Sequence, residues 1–146
     1  METEEEFTGA LAALQRRSPE QLAAFIVSLL GGAPAGVRSY IEAFIAAADP
    51  FMVATIVRRE IGALRMGERE YEVRHRRSAE IVARAGYTLG IIERVVLPSD
   101  VVLARKLLSE LFDAEQQIAN QAYEDDYGAE ELFARVRTLL SASTER

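Results

Sequence analysis

Apolar residues recur at three- and four-residue intervals along almost the whole chain, and nowhere do they alternate as a half-buried strand requires. That spacing leaves little but helices. Phe7, Ala10, Leu11 and Leu14 form a first stripe. Ser18-Pro19-Glu20-Gln21 then supplies an N-cap serine, a proline at the first helical position and a capping-box glutamine. The helix it opens carries Leu22, Phe25, Ile26, Leu29 and Leu30 on one face and stops at Gly31-Gly32. Ala33 to Gly36 reads as a turn, and Val37, Tyr40, Ile41, Phe44, Ile45 and Ala48 as the inner face of a third helix. Asp49-Pro50 repeats the cap-plus-proline signal ahead of Val53, Ile56, Val57, Ile61 and Leu64, and Gly67 ends or bends that helix. The next is expected from about Arg69 to Leu97, with Tyr71, His75, Ser78, Val82, Ala85, Leu89, Ile92 and Val96 inside. Pro98-Ser99-Asp100 breaks the chain and caps a long helix to about Tyr127. Past Gly128, Leu132, Phe133, Val136, Leu139 and Leu140 mark a last one. The expectation is an all-α compact bundle of six or seven helices forming one domain over 1–146, without repeat, linker or composition break.

Composition narrows the chemistry. A chain of 146 residues, 49% of them hydrophobic, can bury a core. The absence of cysteine excludes disulfides, thiol nucleophiles and cysteine metal sites. Apolar runs such as Gly90 to Leu97 fall far short of a bilayer span, so no membrane partner is expected. The start, Met1-Glu2-Thr3-Glu4-Glu5-Glu6, is acidic where a secretory signal is basic, which points to a cytoplasmic protein. The net charge of −6 argues against generic nucleic-acid affinity. Charge is nevertheless segregated: Arg58 to Arg77 holds seven arginines, and Glu110 to Glu131 holds eight acids and no base.

No catalytic centre is legible. His75 is the sole histidine, so a Ser-His-Asp triad would have to use it, and nothing near it resembles a nucleophile elbow. Glu72-Val73-Arg74-His75 has the Glu-x-x-His spacing of di-iron carboxylate proteins, which need that motif on two helices. Arg69 and His75 are spaced like the arginine-histidine motif of the HEPN ribonucleases, a similarity of two residues. The plainer assignment of His75 is a partly buried polar residue within a core stripe. Gly31-Gly32 lacks the strand and lysine of a phosphate loop. Neither catalytic residues, metal nor cofactor are expected. Arg58, Gly62, Arg65, Arg69 and Arg76 would lie along one side of continuous helices, as a phosphate-contacting face. In size, helicity and arginine placement this resembles the DNA-wrapping coat proteins of filamentous archaeal viruses. That resemblance implies a structural assembly subunit with nucleic acid as its partner.

One stretch is similar to something more specific. Val57 to Tyr87, VRREIGALRMGEREYEVRHRRSAEIVARAGY, resembles the E and F helices of the globin domain of globin-coupled sensors. Gly67 matches their interhelical glycine, Glu70-Tyr71 the helix start, Arg77 an arginine, and Arg84 with Gly86 the closing pair. Leu107 to Tyr127 resembles their last helix through Glu115-Gln116-Gln117 and Ala122-Tyr123-Glu124. The position of the family's haem-ligating histidine is Val82, which cannot coordinate iron. The resemblance therefore implies a globin-like domain without haem, of the kind found in stressosome scaffolds: a non-enzymatic regulatory or interaction module with a protein partner. Val82, Ala85, Leu89 and Ile92 would line its pocket, holding an apolar ligand or simply filling it. Helical sensor domains dimerise through their last helices, so a homodimer or larger homo-oligomer is expected.

Overall fold

The computed structural model describes residues 4–66, 74–121 and 129–144, and every regular element in them is helical. In order these are α1 (Glu4–Gln15), α2 (Pro19–Leu30), α3 (Ala35–Ile45), α4 (Pro50–Met66), α5 (Arg74–Ile91), α6 (Val101–Asp113), α7 (Glu115–Gln121) and α8 (Ala129–Thr144). The fold class is all-α. Contacts gather the chain into two compact units, Met1–Ala33 and Pro34–Arg146, although no composition break marks the boundary.

The first unit is the α1–α2 hairpin. Its second helix begins where the sequence signals it. The Gln21 amide donates to Ser18 Oγ at 3.1 Å and the Ser18 amide donates to Gln21 Oε1 at 3.0 Å, which closes the capping box. The expected inner face of α2 is not enclosed. No residue of α2 is buried, and Phe25 and Leu29 are exposed, as are Leu11 and Leu14 of α1.

The second unit holds the core. Asp49 Oδ1 accepts from the Met52 amide and Asp100 Oδ1 from the Leu103 amide, so two aspartates start α4 and α6 by satisfying otherwise orphaned donors. α4 buries Val53, Ile56, Val57, Ile61 and Leu64, the stripe read from its sequence. α5 buries Val82, Ala85, Leu89 and Ile91. It packs against α3, α4, α7 and α8, while α6 packs against α4 and α8. Leu107, Leu108 and Leu111 of α6, Ile118 of α7, and Phe133 and Val136 of α8 complete a continuous core.

Three departures from the periodicity have physical reasons. α5 does not run uniformly to Leu97: Ile92–Val96 forms a π turn, with the Leu97 amide donating to the Ile92 carbonyl at 2.9 Å. The long helix expected after Asp100 is interrupted at Ala114, whose φ of −87° and ψ of −2° tighten the backbone so that its amide reaches the Leu111 carbonyl. The third is α3. Its buried residues are Gly36, Ser39 and Ala43, not the large apolar stripe. Val37, Tyr40 and Ile41 are half-buried, and Phe44 and Ile45 are each 58% exposed.

Candidate functional site

The α3–α5 seam follows from that rotation of α3. Small residues let two helix backbones approach closely. A Cβ added to Gly36 would sit 3.3 Å from the Arg84 Cα and 3.3 Å from Tyr87 Cδ2; one added to Gly90 would sit 2.8 Å from Tyr40 Cε2. Each helix thus offers a glycine to the other's aromatic residue. Tyr40 and Tyr87 meet edge to face, with ring centroids 6.3 Å apart and planes at 77°. Arg94 Nη1 donates to the Tyr40 hydroxyl at 3.2 Å, and that bond holds the guanidinium above its usual pKa.

Turning its small face inward leaves the large stripe of α3 beside a groove. One section, of about 570 Å³, is lined by Val37, Tyr40, Ile41, Ala83, Gly90 and Arg94 among others. A second, of about 400 Å³, continues past Val37, Ala83 and Tyr87 to Gly36, Ile81 and Arg84. The lining is mostly apolar, with charge at the ends: Glu93 and Arg94 at one, Glu80 and Arg84 at the other. Glu93 is held in turn by Arg135 of α8.

Beneath the seam lies an ion pair. Glu60, only 2% exposed, receives Arg84 Nε on Oε1 at 2.7 Å and Nη2 on Oε2 at 3.0 Å. This bidentate bond to Glu60 keeps the Arg84 guanidinium above its ordinary pKa. On α4, Arg59 donates to Ser39 Oγ and Glu42 Oε1 of α3, at 3.0 and 3.2 Å. Arg58 makes a forked contact with Glu110 of α6 that likewise raises its pKa. The segregated charges of the sequence meet in one of these pairs, Arg58 with Glu110; Arg59 pairs with Glu42, and Arg84, outside the basic stretch, with Glu60 inside it.

Of the four arginines expected to form a phosphate-contacting face, two have described side chains. Arg58 is engaged with Glu110 and Arg65 is exposed at the end of α4. Arg69 lies outside the described residues, as do Tyr71 and the side chains of Arg76 and His75. Of the four residues expected to line a pocket, Ala85, Leu89 and Ile92 belong to the main core and Val82 packs with Ala129. Leu89 alone also borders the groove. The groove itself was not foreseen. Its signal was present in the spacing of small residues, Gly36, Ser39 and Ala43 on α3 against Ala83, Gly86 and Gly90 on α5, each three then four apart. Among the described residues no group of acidic or histidine side chains is arranged to hold a metal ion, and no helix is long and apolar enough to cross a membrane.

The glycines give a direct check on the seam. Gly62, inside α4, has nothing within 4 Å of an added Cβ, so Gly62→Ala should stabilise by up to about 1 kcal/mol through helix propensity. Gly90→Ala gains the same propensity but pushes the Tyr40 ring, and a net loss of about 1 kcal/mol is expected. Urea unfolding midpoints compare the two directly; equal stabilisation by both would show that α3 and α5 are not this close.

Comparison with models of protein families, with curated proteins and with solved structures found no match.

Proposed function

We propose that this chain is a non-enzymatic helical regulatory or interaction module, globin-like and without haem, which binds a helix of a partner protein along the α3–α5 seam. The observation that carries the reading is the apolar stripe Val37, Tyr40 and Ile41, left half-buried beside a groove that two tyrosines and three small residues shape. An amphipathic helix fits such a surface: its apolar face takes the place of water over Ala83 and Gly90, and its polar ends meet the charges at either end of the groove. Engagement of Arg58 by Glu110 favours this over a DNA-wrapping subunit, which would need that cation for a phosphate. The burial of Glu60 under Arg84 favours a structural over a catalytic role for that carboxylate.

The test is site-specific photo-crosslinking of the full chain in the cells that make it. A benzophenone amino acid at Ala83, exposed in the groove, is compared with one at Ser109, exposed on α6. One discrete protein adduct from position 83 and none from 109 is expected. Equal labelling at both positions, or adducts to nucleic acid, would overturn the reading.

A further inference from the structure

We draw no further inference here: the strongest candidate, the end of the α3–α5 groove where Arg94 donates to the Tyr40 hydroxyl, belongs to the site already described, and nothing in the structure shows what covers it.

Discussion

Phe133→Ala is expected to lower the unfolding free energy by about 4 kcal/mol, the usual cost of emptying a well-packed aromatic site. Phe133 is 1% exposed and belongs to the core that Leu107, Leu108 and Leu111 build from α6. Two terms add: the transfer energy of the ring and the cavity left when helices on either side cannot collapse into the space. Since whole domains are stable by only about 5–15 kcal/mol, the variant loses a large part of its margin. Urea unfolding followed by circular dichroism measures it, with an unchanged slope required for the comparison. A loss below about 1 kcal/mol would mean that α8 does not close the core as described.

Arg84→Ala is expected to be nearly as damaging, by a different route. It leaves the Glu60 carboxylate buried without its bidentate partner, and the loss should be about 3 kcal/mol. The low end of the range applies because the Arg84 side chain is 32% exposed, so water can partly replace it. Arg59, whose Nε lies 3.9 Å from Glu60, offers weak compensation. The decisive comparison is the double variant Glu60→Leu/Arg84→Met, which removes both charges and keeps much of the volume. It should recover most of the loss, because an apolar pair in such a site is often as stable as the ions it replaces. Arg84 pairing raises a pKa that already lies far above neutrality. The stability it supplies is therefore complete below the unfolded-state value and is lost only as pH rises through the folded one, outside the range in which these variants are compared. If the double variant is no better than Arg84→Ala, the damage comes from lost packing and not from the stranded carboxylate.

The helices and most of their starts were legible because their causes are local. Ser18, Asp49 and Asp100 each cap the helix that follows, and a capping bond spans only three residues. The core of α4 was equally plain, since Val53, Val57, Ile61 and Leu64 keep to one face. What could not be read was the direction in which α3 faces. Size suggested that Val37, Tyr40, Phe44 and Ile45 point inward, yet Gly36, Ser39 and Ala43 do, because the close approach to α5 rewards small volume over apolar area. That preference depends on a partner helix some fifty positions away, and periodicity carries no such information. The same holds for Glu60, which sits on the α4 stripe where an apolar residue is expected and is accommodated by an arginine on another helix. Both features fall on the seam, so the candidate site is where local rules give way to tertiary ones.

The π turn at Ile92–Val96 has a bearing on how this helix came to serve two neighbours. One additional residue in a turn advances every later side chain by roughly 100° around the axis. Ahead of it, α5 presents Gly36's neighbours Arg84 and Tyr87 to α3; within it, Ile92 and Val96 are buried in the core at the turn that packs on α6. Ile91 and Ile92, adjacent in sequence and both fully enclosed, mark where the change takes place. The last turn of the helix thus serves both neighbours at once, with Ile92 and Val96 in the core and Arg94 still bonded to Tyr40 of α3.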